Sequence, residues 1–104
     1  MTGAEFITKE RDEQLEKHGI SVAADYEANA NGELLDAATA IIQRDPVVWP
    51  ITWDSETYKK IRLKPREEQL AIAGAFLAAE IDRLQMSQEE WENYTADDGK
   101  LQDL

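Results

Sequence analysis

The chain has 104 residues, 42% of them apolar, with three tryptophans; that is enough for one small core and too little for two. Its 22 acidic residues outweigh 11 basic ones for a net charge of −11, which speaks against a duplex nucleic-acid binder or an anionic membrane surface as partner. With no cysteine and one histidine, a disulfide framework, thiolate chemistry and a histidine zinc site are not expected.

The start of the chain lacks a basic stretch followed by an apolar one, so no signal peptide is expected. No apolar run approaches the roughly 18 residues of a membrane span, and a cytoplasmic location is expected. The charge suits a very soluble protein, a carboxylate site that recruits divalent cations, or a mimic of nucleic acid.

A first helix is predicted over residues 8–17, starting as early as Glu5, because the stretch is dense in Glu, Lys, Arg and Gln. Its apolar side is thin: Phe6, Ile7 and Leu15. Glu10, Arg11 and Gln14 project among these, so polar groups turn towards the buried side. Gly19 reads as the stop. Residues 21–32 are looser, with Asp25 as an N-cap candidate and Val22 and Tyr26 available for packing.

A second strong helix is predicted over residues 33–44. Leu34, Leu35, Ala37, Ala38, Ile41 and Ile42 form a broad apolar face, and Glu33, Asp36, Ala37 and Ala40 run along its edge. Asp45-Pro46 ends it, since proline disfavours helix in the residue before it. Residues 46–65 read as an irregular insert holding all three prolines and two of the three tryptophans. Five of the eleven basic residues, Lys59, Lys60, Arg62, Lys64 and Arg66, cluster at its end.

The longest predicted helix covers residues 66–85. At about 100° per residue, Leu70, Ala73, Gly74, Leu77, Ile81 and Leu84 share one side, which is expected to be buried. Glu80 falls inside that arc, where a carboxylate needs a partner. Ser87 and Glu90 have capping-box spacing for a short further helix, followed by an acidic tail. The expected architecture is all-α: three main helices plus a short C-terminal one, completed as a dimer. Residues 1–86 form a single domain with the insert at 46–65, and residues 87–104 a capped helix and tail.

Three groupings carry chemistry. Glu33 and Asp36 lie about 60° apart on one helix, and with Glu80 from another they could hold Mg²⁺ through oxygen ligands. The alternative is structural: Glu33 caps its helix, Asp36 faces solvent, and Glu80 pairs with Arg11 or Arg83. Residues 59–66 could grip a triphosphate or simply balance local acids. Trp49, Trp53 or Tyr58 could stack on a base or plug the top of a bundle. Asp82 is expected at the surface.

The ordered set of Glu10-Arg11 with Gln14, then Gly32-Glu33-Leu34 with Ala37-Ala38, then Trp49-Pro50 with Trp53, then Gly74-Ala75 through Ala79-Glu80-Ile81 resembles a family of small phage and prophage proteins. These are known as dATP/dGTP diphosphohydrolase-like, or MazG-like, nucleotide pyrophosphohydrolases. The resemblance covers residues 7–85. It implies a helical bundle, homodimeric or larger, that uses Mg²⁺ (or Mn²⁺) to split a nucleoside triphosphate, of purine type, into monophosphate and pyrophosphate. By position, Glu33 and Asp36 match the first acidic pair of the wider superfamily and Glu80 an acid of the second. The fourth acidic position is Arg83 here.

The resemblance further implies Glu33, Asp36 and Glu80 as metal ligands, with Glu33 and Glu10 as the catalytic candidates, Glu10 to orient the water or to add a further ligand. Arg11, Gln14, Lys59, Lys60, Lys64, Trp49 and Trp53 would meet the substrate. The missing fourth acid and the charge of −11 leave a second expectation open, an acidic interaction or inhibitor protein built on the same bundle without catalysis.

Overall fold

The computed structural model describes residues 1–17, 29 and 31–96. The fold is all-α, as expected, with no strand among these residues. Helix α1 spans Gly3–Lys17, α2 Glu33–Gln43, α3 Ser55–Arg62 and α4 Arg66–Ala96, and a 3₁₀ turn covers Pro46–Val48. No described helix is long and apolar enough to cross a membrane. The expected stop at Gly19, the Asp25 cap, the packing of Val22 and Tyr26 and the end of the tail lie outside the described residues.

Local chemistry explains the ends. Helix α1 starts five residues before residue 8 because Thr2 and Glu5 form a reciprocal capping box. The Glu5 N–H donates to Thr2 Oγ1 at 3.1 Å, and the Thr2 N–H donates to Glu5 Oε1 at 3.1 Å. The Thr2 backbone and hydroxyl contacts hold the Glu5 carboxyl below its ordinary value. Helix α2 closes through Arg44, left-handed at φ 56°, and the Asp45 N–H reaches back to the Ala40 carbonyl at 3.0 Å.

The expected irregular insert contains a helix. Asp54 caps α3 by accepting from the Glu56 N–H at 2.9 Å, and Tyr58 and Ile61, three apart, are its buried side. The expected break before Ser87 is also absent: the backbone of α4 continues from Arg66 to Ala96, since no proline or glycine interrupts it after Gly74.

Helix α4 is the central element, packed by both α1 and α2. Arg66 at its start donates from Nη1 to the Ile41 carbonyl at 3.0 Å and from Nη2 to the Ile42 carbonyl at 2.7 Å. It thereby satisfies carbonyls that the end of α2 leaves open. Because the start of α4 is tied to the end of α2 and the two pack along their length, they run antiparallel. Gln69 Nε2 donates to the Arg62 and Lys64 carbonyls at 3.1 and 2.9 Å, fixing the corner between α3 and α4.

The core joins Leu34, Ala37, Ala38, Ala40 and Ile41 of α2 to Ile72, Ala73, Phe76 and Ala79 of α4, with Trp49, Tyr58 and Ile61 closing one side. This corrects the expected face of α4. Its alanine-rich arc is inside, because small side chains let α2 approach closely and Phe76 meets the tryptophans at 6.4 and 5.3 Å. Leu70, Leu77, Ile81 and Leu84 remain 36–55% exposed on the other side, as do Leu35 and Ile42 of α2. Gly74 serves α1 instead: a Cβ there would stand 2.7 Å from Ile7 Cδ1, so the absence of a side chain gives Ile7 its seat.

Candidate functional site

Polar side chains are costly to bury without partners. Among the described residues, Arg11, Gln14, Asn29, Glu33 and Gln69 are buried. Gln69 is explained by the corner it holds. Of the other four, Arg11 and Gln14 lie on α1, Glu33 opens α2 and Asn29 stands just ahead of it.

Arg11 comes from the inner side of α1. Its Nη1 donates to Gln14 Oε1 at 3.3 Å, and its Nη2 pairs with Asp82 Oδ2 of α4 at 3.1 Å. Asp82, expected at the surface, is therefore a half-buried tertiary partner whose side chain keeps 40% of its exposure. Glu80 is answered by Arg83 Nε, one turn along the same helix, and both side chains are largely shielded from solvent. Of the two structural partners considered for Glu80, the arrangement selects Arg83. An (i, i+3) charge pair on one helix needs no tertiary contact to form.

Glu33 is buried at the first turn of α2, and its carboxylate accepts from the Asn31 N–H at 3.1 Å. Asp36 is exposed. The edge of the buried arc falls between these two residues although they are only three apart. Asn29 accepts at Oδ1 from Trp53 Nε1 at 3.3 Å. Among the described residues, no three His, Cys, Asp or Glu side chains stand together in a way that could hold a metal ion. Glu33, Asp36 and Glu80 do not form a ready ligand set for Mg²⁺ in this arrangement.

The basic stretch is dispersed along α3 and the corner that follows. Lys59 pairs with Glu56 at 3.1 Å and Lys64 with Glu68 at 3.0 Å. Arg62 Nη1 donates to the Arg44 carbonyl at 3.2 Å and to the Tyr58 hydroxyl at 3.0 Å. Lys60 is exposed. The two lysine pairs lie at the surface, where such pairs contribute about 0–1 kcal/mol and exchange readily for another anion.

Trp49 is 8% exposed, with its Nε1 donating to the Asp54 carbonyl at 3.2 Å and its ring against Trp53 and Tyr58 at 5.3 and 5.4 Å. This is the core placement of the two considered. Trp53 keeps part of its surface and is the tryptophan better placed to meet a ligand.

Glu10 is half-buried, and its carboxyl is pushed above the ordinary value of 4.5 by burial first, then by Glu13 and Glu68, against the opposing Lys64 and Lys9. Glu68 and Lys64 lie near the start of α4.

A raised folded value means that the folded chain holds this proton more tightly, so the associated stability is lost as pH rises through that value. Glu10→Gln should therefore be more stable than the parent at pH 7, with the gain shrinking as pH falls through the raised value towards the ordinary 4.5 and absent below it. Urea midpoints of both chains at pH 7 and pH 4 check this; a parent more stable than the variant at pH 7 contradicts it.

The sequence reading missed Asp82, Asn29 and Gln69. Asp82 and Asn29 carry no local signal, since their partners are distant in the chain. Gln69 sits one turn after Pro65, at the start of a helix that must meet the preceding one at a corner. Comparisons of the chain with known protein families, with curated proteins and with solved structures found no match.

Proposed function

We propose that the chain acts on a purine-type (deoxy)nucleoside triphosphate and hydrolyses it to the monophosphate and pyrophosphate. One observation supports the reading beyond the resemblance. The segments that carry the resemblance bury Arg11, Gln14 and Glu33, and half-bury Glu10 and Glu80, in a chain with ample solvent-facing positions for polar residues. Desolvating them costs free energy that apolar residues at the same places would not.

In this reading Arg11 and Gln14 meet the phosphates, joined by Lys60 and, once their surface partners give way, by Lys59 and Lys64, and Trp53 covers the base. Water attacks the α phosphorus, the bond to the bridging oxygen breaks, and pyrophosphate leaves. A carboxylate, Glu10 or Glu33, takes the proton of the attacking water. A divalent ion, Mg²⁺ or Mn²⁺, would neutralise triphosphate charge when bound.

Pyrophosphate release from each of the eight common NTPs and dNTPs, with Mg²⁺ or Mn²⁺, tests the proposal. Release is expected for the parent, with a loss of about 10²-fold or more in Glu33→Gln, which keeps an oxygen for the Asn31 N–H. No release from any of the eight, with no heat of nucleotide binding in calorimetry, would sink it.

A second reading, an acidic interaction protein without catalysis, is favoured by the Glu80–Arg83 pair, since Arg83 stands where the wider superfamily has an acid. Thermal shifts with Mg²⁺ separate the two. Loss of the metal response in Glu80→Ala supports the hydrolase; an unchanged response supports the second reading.

A further inference from the structure

The pair of Arg11 with Asp82 joins two side chains of very different access to water. Arg11 keeps 8% of its side-chain exposure and Asp82 keeps 40%. A guanidinium stays charged at any pH a protein meets, so a buried one needs an anion at all times. Asp82 has no such need. Its carboxylate already faces water in part, and moving further out costs it little. The pair can therefore be broken from the aspartate side, provided that another anion takes the arginine.

The hydrogen bonds at Arg11 favour such an exchange. Its two terminal nitrogens go to different residues. Nη1 donates to the neutral Gln14 Oε1 at 3.3 Å, and Nη2 to a single oxygen of Asp82 at 3.1 Å. A phosphate offers two oxygens at the spacing of the guanidinium fork and can take both nitrogens at once. The other carboxylate of this turn of α4 is no rival, because Glu80 is engaged by Arg83. Arg11, Asp82, Glu80 and Arg83 together carry no net charge. A phosphate that entered beside an undisplaced Asp82 would bring unbalanced negative charge to shielded groups.

We infer that Asp82 is a stand-in for the substrate: it holds the Arg11 guanidinium, yields it to a phosphate group, and thereby sets how tightly phosphate binds. Asp82 is a positioning residue that acts through Arg11. The inference rests on the reading that Arg11 meets the phosphates. A guanidinium engaged elsewhere about nine-tenths of the time weakens the apparent affinity about 10-fold. Asp82→Asn keeps the size of the side chain and removes the competing charge.

The experiment is calorimetric titration of the full chain with sodium tripolyphosphate. Asp82→Asn is expected to bind about 10-fold more tightly than the parent. Glu16→Gln removes the same charge from an exposed position of α1 and is expected to bind like the parent. On the Arg11→Gln background, the gain from Asp82→Asn is expected to vanish. Equal or weaker binding by Asp82→Asn, an equal gain in Glu16→Gln or on Arg11→Gln, or no binding by any variant overturns the inference.

Urea midpoints give a second measure. Asp82→Asn is expected to be less stable than the parent in buffer, and tripolyphosphate to raise its midpoint by more than the parent's. A parent raised as much or more overturns the inference. Hydrolysis is read separately. With a nucleotide that the parent cleaves, Asp82→Asn is expected to lower KM about 10-fold and to keep kcat within about twofold. An unchanged or raised KM overturns the inference and leaves hydrolysis standing. Tighter tripolyphosphate binding with no pyrophosphate released from any nucleotide supports the exchange at Arg11 and removes the hydrolysis.

Discussion

Trp49→Ala should lower the unfolding free energy by about 3–5 kcal/mol. The ring touches Trp53, Tyr58 and Phe76 at centroid distances of 5.3, 5.4 and 6.4 Å, and its N–H satisfies the Asp54 carbonyl just ahead of α3. Removing it opens a cavity between α2, α3 and α4 and frees the carbonyl at once. A domain of this length has roughly 5–15 kcal/mol in total, so a large part of the stability is at stake. Trp49→Phe retains most of the packing and should lose about 1–2 kcal/mol, chiefly through the orphaned carbonyl. Urea titration followed by far-ultraviolet circular dichroism measures both; a loss under about 1 kcal/mol in Trp49→Ala would contradict the core placement.

Ala79→Leu should cost about 3 kcal/mol, towards the upper end for overpacking, because Ala79 is wholly buried where α4 meets the core. Leu77→Ala, two residues away, should cost about 1 kcal/mol when measured at low protein concentration, since Leu77 is already 36% exposed. Apolarity alone would rank these two in the opposite order. The comparison of urea midpoints therefore tests which arc of α4 faces inward. A larger loss in Leu77→Ala at low concentration would place the leucines in the core and overturn the described packing.

The reason for that reversal shows how far the sequence could be read. Residues 69–79 are uncharged and apolar on nearly every side, so helical periodicity locates the helix but does not choose its inner arc. Leucine draws the eye. Close packing of two helices favours alanine, and Phe76 can meet the tryptophans only from the alanine side. The three long helices were legible because strong helix formers and apolar residues recur at helical spacing. Helix α3 was hidden by the prolines and tryptophans around it, although Asp54 followed by Ser55 and Glu56 is a start signal. The early start of α1 was likewise written in Thr2 and Glu5.

At the candidate site, local pairs could be read and tertiary ones could not. Arg83 stands three residues from Glu80, so their pairing was foreseeable. Asp82 meeting Arg11 depends on how α1 lies across α4, which no spacing within either helix specifies. Glu33 and Asp36 were placed on one side of α2, yet one is buried and the other exposed, because the buried arc ends between them.

Gly74 has a consequence for the N-terminal helix. A glycine inside a helix costs about 1 kcal/mol relative to alanine, and here the notch it leaves is occupied by Ile7. Without α1, the long helix would keep that weakness and gain nothing in return. The first seventeen residues are therefore an integral strut of the fold, and a chain trimmed of them would inherit a flaw in its longest helix.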